Sequence, residues 1–162
     1  MSRFIYIFAL LAPLLLKGQP VPDLIDVAAN EPQLSTIMML LVADREVGEM
    51  LKNSGPYTLF APTNDAFNEL GAVGLNALTA PGNEGQLRNL LLGLIAHGRI
   101  ELRESRVVPT LNGSRLKVIV EEDTIRINDA HLDGPPFNAA NGILYPIDRV
   151  PNVRTPSSQD DY

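Results

Sequence analysis

The order of hydrophobic periodicities along the chain predicts an α+β fold, with helices early and antiparallel strands late. Apolar side chains recur near helical spacing from Leu34 to Leu51 and again from Leu87 to Ile95. The period then changes to strand-like alternation in Leu116-Lys117-Val118-Ile119-Val120 and Thr124-Ile125-Arg126-Ile127-Asn128. Glu121-Glu122-Asp123 lies between these two runs as a hairpin turn.

The elements follow in order. Arg3 precedes an apolar, proline-containing run from Phe4 to Leu16, the charge-then-apolar arrangement of a secretory signal. Lys17, Gly18, Gln19 and Pro20 end the run short of the about 20 apolar residues a membrane span needs. Residues 1–18 are therefore read as a cleaved signal peptide, with an uncleaved anchor as the alternative, leaving one domain over 19–151. Asp23 to Ala29 reads as a short helix stopped by the approach of Pro32, and Leu34 to Met50 as a longer one. After the Gly55-Pro56 break, Tyr57-Thr58-Leu59-Phe60 reads as a buried strand. Thr63 to Leu70 follows as a helix whose first-turn N–H groups Thr63 or Asn64 can cap.

Residues 71–85, rich in Gly, Asn, Ala and Pro, predict a helical turn and a surface loop. The helix that resumes at Gln86 is expected to run to His97, with Gly98 as its stop. A last strand is predicted from Ile143 to Val150, entered by the Asn141-Gly142 turn. Residues 152–162 form a polar tail whose composition predicts disorder.

Composition excludes several function classes. The chain has no cysteine, so disulfides, thiol catalysis and cysteine-ligated metals are out. The net charge of −6 becomes more negative once Arg3 and Lys17 leave with the signal, which disfavours nucleic acid and anionic membrane as partners. No Gly-x-Ser-x-Gly elbow occurs, and two separated histidines, His97 and His131, cannot build a standard zinc site. The acids Glu121, Glu122 and Asp123 are either a weak calcium site or a solvated hairpin tip. No cofactor is implied. Asn112-Gly113-Ser114 is an N-glycosylation acceptor triplet in a glycosylating host.

Two segments carry a family resemblance. Tyr57-Thr58-Leu59-Phe60-Ala61-Pro62-Thr63-Asn64-Asp65-Ala66-Phe67 resembles the first signature of the fasciclin domain family, a strand running through a proline corner into a helix. Asn141-Gly142-Ile143-Leu144-Tyr145-Pro146-Ile147-Asp148-Arg149-Val150 is similar to the second signature, near the C-terminal end of the domain. Leu90 to His97 looks like the helix bearing the family's tyrosine-histidine pair, with Ala96 in place of the tyrosine. The resemblance spans roughly residues 22–151. It implies a compact wedge of antiparallel β-sheets with several N-terminal and central helices, used outside the cell for adhesion or matrix contact without turnover. The implied partner is an extracellular protein or glycan bound by a monomer. Pro136 stands where integrin-binding members have an aspartate, and no Arg-Gly-Asp triplet occurs.

The same resemblance sets His97 beside the first signature, where imidazole bonded to Asp65 or to the Thr63 hydroxyl would pin a helix to the proline corner. Drawn differently, Thr63, Asp65 and His97 would be a catalytic or metal group; the hydrogen-bonded site is the preferred reading. The candidate interaction loop runs from Leu132 to Ala140, with Pro135, Pro136, Phe137 and Asn138 at its centre. Prolines lower the entropy lost on binding, and Phe137 either presents an aromatic anchor or tucks into the core. The alternative function is an extracellular carrier of a small lipid or aromatic ligand in an apolar cleft.

Overall fold

The computed structural model describes residues 20–151, so the signal peptide expected at 1–18 and the tail expected at 152–162 lie outside the described residues. Helix α1 (Leu24–Asn30) starts from a reciprocal capping box: Asp23 accepts from the Asp26 N–H at 2.8 Å while Asp26 accepts from the Asp23 N–H. A 3-10 turn (Pro32–Leu34) leads into α2 (Ser35–Ala43).

The single long helix expected from Leu34 to Met50 is instead two helices. Asp44 leaves helical geometry and caps α3 (Arg45–Asn53) by accepting from the Val47 N–H at 3.2 Å. A Cβ at Gly48 would come within 2.6 Å of the Leu41 carbonyl, so the missing side chain is what lets α3 fold back on α2.

Strand β1 (Tyr57–Pro62) is buried along its whole length and runs into α4 (Asn64–Asn68) and α5 (Gly71–Thr79). Helix α6 (Glu84–Leu92) is shorter than its apolar run: Gly93 closes it, and Ile95–His97 form β2, antiparallel to β1. The apolar pattern of Leu91, Leu94 and Ile95 serves two elements in succession, because all three are core residues whichever backbone carries them.

One sheet has the order β2-β1-β8-β7, where β7 is Phe137–Ala139 and β8 is Gly142–Ile147. Its central pair, β1 and β8, is parallel; every other pairing is antiparallel. The second sheet runs β3 (Arg106–Pro109), β4 (Arg115–Glu121), β5 (Thr124–Ile127), β6 (Ala130–His131), entirely antiparallel. The hairpin expected at Glu121-Glu122-Asp123 closes with Glu121 opposite Thr124.

Alternation along the central strands divides the interior in two. Leu59, Ala61 and Leu144 pack with Leu24, Ile37 and Leu51 beneath the helices. Phe60, Ile143, Tyr145 and Ile147 face the other way, against Leu116, Val118 and Ile127 of the second sheet. Strands covered on both faces read as continuous apolar runs, as β1 and β8 do. The result is an α+β wedge: helices, a mixed sheet, then an antiparallel sheet whose outer face meets solvent.

Candidate functional site

The loop expected to carry interaction is built between β6 and β7 at the edge of the mixed sheet. Leu132 bridges to Ile147, Gly134 takes a φ of +122° open to glycine, and Pro135 and Pro136 are exposed. Two clasps hold the loop. Thr63 donates its hydroxyl to Asp133 at 3.1 Å, and Arg99 donates to the Asn138 side chain at 3.0 Å and to the Ala139 carbonyl.

Phe137 is half-buried. It lies opposite Leu144 and packs with it against the helical core, so alternation points it inward and leaves Asn138 facing out. Of the two alternatives for Phe137, the core role is the one observed, and the loop's outer surface is the Pro135-Pro136 corner with Asn138.

Beside that corner lies an open groove of about 300 Å³ with Leu102, Ile143 and Tyr145 at its floor and Pro136, Asn138 and Glu101 at its walls. Tyr145 stacks on Phe60 at 5.8 Å, donates its hydroxyl to the Ile100 carbonyl at 3.0 Å and accepts from the Leu102 N–H at 3.3 Å. Burial pushes the phenol above its ordinary pKa, opposed by the Leu102 N–H and reinforced by the charge of Glu101. The hydroxyl therefore stays a donor, and it serves to hold residues 100–102 against the sheet.

The structure does not bring Thr63, Asp65 and His97 together. His97 stands on β2 opposite Tyr57, exposed, with ring centroids 5.8 Å apart. Thr63 follows the far end of the six-residue β1, about 20 Å away at strand rise. Asp65 is exposed on α4 and accepts from the Asn68 amide at 3.4 Å. The expected imidazole bond fails because His97 leaves the helix for a strand that runs antiparallel to β1, carrying it away from the proline corner.

The asparagines of the two signatures take the pinning role, beyond the cap and the turn that their sequence context predicts. Asn64 accepts from the Thr36 N–H at 2.9 Å and donates to the Pro32 carbonyl at 3.0 Å, fixing α2 to the corner. Asn141 accepts from the Leu24 N–H at 2.9 Å and donates to the carbonyls of Leu51 at 2.6 Å and Ser54 at 3.0 Å, joining α1 and α3 to the turn before β8. A Cβ at Gly142 would lie 2.1 Å from the Tyr57 carbonyl, so the Asn-Gly pair is a packing requirement as well as a turn.

Asn112 is also committed to the fold. Its Oδ1 accepts from the Thr110 hydroxyl at 2.7 Å and the Ser114 N–H at 3.0 Å. Its Nδ2, the atom a glycan would be joined to, donates to the Asn89 carbonyl at 3.0 Å and would be 2.9 Å from a Cβ at Gly93. Among the described residues no three His, Cys, Asp or Glu side chains converge as a metal site, and the Glu121, Glu122, Asp123 tip is exposed to solvent.

Two further concavities bear on a small-ligand role. One, about 520 Å³, is an open crevice of mixed lining, with Glu69, Gln86 and Arg149 beside Leu70, Leu90 and Val150. The apolar one, over Ile25, Met38, Leu41 and Val42, is an open groove of about 270 Å³ rimmed by Arg45, Glu49 and Lys52. Carrier sites are usually concave apolar pockets of about 300–1,000 Å³ that bury most of the ligand, whereas both of these concavities lie open to solvent.

The fasciclin-domain sequence profile matches residues 32–151, which covers most of the chain. The chain belongs to the fasciclin domain family. This fasciclin domain is 33% identical over 129 residues to Protein sll1483 of Synechocystis, covering 78% of the chain and 71% of that protein. It is 34% identical to the cell surface glycolipoprotein MPB83 of Mycobacterium bovis, covering 76% of the chain and 57% of the relative. Human periostin is 26% identical over 75% of the chain, which spans only 15% of that relative. Among solved structures, a domain pair from the insect cell adhesion molecule Fasciclin I superposes with a TM-score of 0.67 at 18% identity, over 82% of this chain and 51% of that one. That likeness concerns the fold. No helix among the described residues is long and apolar enough to cross a membrane.

Proposed function

We propose that this fasciclin domain is a secreted extracellular adhesion or matrix-interaction module that acts by non-covalent binding and not by turnover. The observation that carries the reading is the Pro135-Pro136-Phe137-Asn138 segment, exposed at its prolines, anchored inward by Phe137 and clasped by Arg99 and by Thr63 through Asp133. A segment already held in one conformation loses little freedom when it docks, so a modest surface can bind usefully. Family membership and the cell-surface and adhesion names of relatives support the same reading.

The test is attachment of cells, or of matrix extracted from them, to a surface coated with the folded chain. A denatured coating is the control. Replacing Pro135 and Pro136 by glycine, both exposed, is expected to cost about 1–2 kcal/mol through the freer unfolded chain, to leave the domain folded and to cut attachment several-fold. Phe137→Ala is expected to act through stability, by about 2 kcal/mol for a half-buried ring. Attachment equal to that of the denatured coating would overturn the adhesion reading.

A further inference from the structure

The outer face of the antiparallel sheet carries a charge opposite to that of the protein. Strand register puts Arg115 opposite Pro109, Lys117 opposite Val107 and Ile119 opposite Arg126, all on the side away from the second core. Arg115 and Lys117 are exposed, and among the described residues neither forms an ion pair. Arg126 reaches Glu121 only at 3.9 Å, and its Nε is buried with no hydrogen-bond partner among the described residues. Val107, 56% exposed, flanks Lys117 on β3, and Ile119 follows Lys117 on β4 opposite Arg126.

Residues two apart on a strand are separated by about 7 Å, and diagonal cross-strand neighbours by about 7–8 Å. Arg115, Lys117 and Arg126 therefore form a narrow basic strip on a chain whose net charge is −6. The strip is bordered by acids: Glu121, Glu122 and Asp123 at the hairpin tip, and Asp148, paired with His131 at 3.3 Å, beyond β6.

We propose that this strip binds a linear acidic polysaccharide, one bearing carboxylate or sulfate groups along its length. A flat strip of spaced cations matches a chain of regularly spaced anions, and the flanking apolar side chains can lie against sugar rings. The acidic borders argue against a planar anionic bilayer, which would bring negative charge against Glu121, Glu122, Asp123 and Asp148 together with the strip. A single polymer strand can follow the cations and avoid them. The proposal rests on the extracellular binding reading and narrows the partner to a glycan, through a face distinct from the Pro135-Pro136 corner.

The test is retention of the full chain on immobilised heparin and immobilised alginate at low salt, read as the salt concentration of elution. The variant combines Arg115→Gln, Lys117→Gln and Arg126→Gln; its control removes the same charge elsewhere, by Arg45→Gln, Lys52→Gln and Arg103→Gln. The expected result is retention of the native chain and of the control, and flow-through of the strip variant. The slope of log affinity against log salt should become shallower by up to about three for the three cations lost. If the strip variant fails to fold, Lys117→Gln alone, exposed and unpaired, should still elute at lower salt. Absence of native retention, equal losses in both triple variants, or tighter binding to phosphatidylserine vesicles or duplex DNA than to either polysaccharide would overturn the proposal. Cell attachment that survives in the strip variant while heparin retention is unaffected by it would sink this inference alone and leave the adhesion reading standing.

Discussion

Replacing Asn141 by alanine should cost this domain about 3 kcal/mol, although the residue contributes almost nothing to the apolar core. Its side chain makes three hydrogen bonds to backbone groups of three different segments, at 2.9 Å from Leu24, 2.6 Å to Leu51 and 3.0 Å to Ser54. A net value of about 1 kcal/mol for each gives the total. The Leu24 amide and the Leu51 carbonyl belong to buried residues, so water replaces the lost partner poorly. Domains of this size are stable by about 5–15 kcal/mol, so the variant folds but with much of its margin gone. With a urea slope of about 2 kcal/mol per molar, the unfolding midpoint followed by circular dichroism should fall by about 1.5 M. Asn30→Ala, which removes one exposed bond to the Asp26 carbonyl, is the comparison and should move the midpoint by less than about 0.3 M. A shift for Asn141→Ala no larger than that of Asn30→Ala would refute the assignment of Asn141 as the pin between the helices and the sheet.

Two more outcomes follow from the bonds that Asp44 and Asn112 make. Burial alone would raise the Asp44 pKa, but hydrogen bonds from Arg88 and Val47 and the Arg88 charge hold it below the ordinary carboxylate value. A carboxylate depressed in the folded state stabilises above its unfolded pKa of about 3.9 and loses that contribution as pH falls through the folded value. The native urea midpoint should therefore drop more steeply below about pH 4 than that of Asp44→Asn; parallel pH profiles would count against the pairing. Secretion from a glycosylating host should yield folded chain with Asn112 unmodified, checked by intact mass and peptide mapping, because its Nδ2 is spent on Asn89. A glycopeptide containing residue 112 in the folded fraction would show that the turn can rearrange.

What could be read from the sequence depended on whether a local signal decided the outcome. The short helix after Asp23, the Glu121–Thr124 hairpin and the buried strand at Tyr57–Phe60 follow from adjacent residues, and each stands where local chemistry put it. The break at Asp44 was not legible, since Ser35 to Asn53 is helical throughout in composition and only the fit of Gly48 against Leu41 reveals the fold-back. His97 was misplaced for a related reason. Leu91, Leu94 and Ile95 are buried both by a helix face and by a strand after Gly93, and periodicity cannot tell those apart. At the candidate site, the prolines announced a stiff exposed corner, whereas the inward turn of Phe137 depends on its register opposite Leu144, a partner set by tertiary pairing. The basic strip was hidden for the same reason. Glu121, Glu122 and Asp123 separate Arg126 from Arg115 and Lys117 in sequence, and only cross-strand register brings it beside them.

The parallel pairing of β1 with β8 has a consequence for the chain as it is made. Leu59 and Phe60 leave the ribosome early, but the strand that completes their sheet, Gly142–Ile147, comes from the last part of the domain. Until it arrives, the nascent chain holds a largely apolar strand with one edge open, and the helices before it lack the Asn141 pin. Closing so long a loop is entropically slow, so the domain completes as a unit late in synthesis instead of growing from its N-terminus. Loss of even the final strand would thus leave an exposed apolar edge, a hazard for aggregation and for capture by chaperones, and not a smaller working domain.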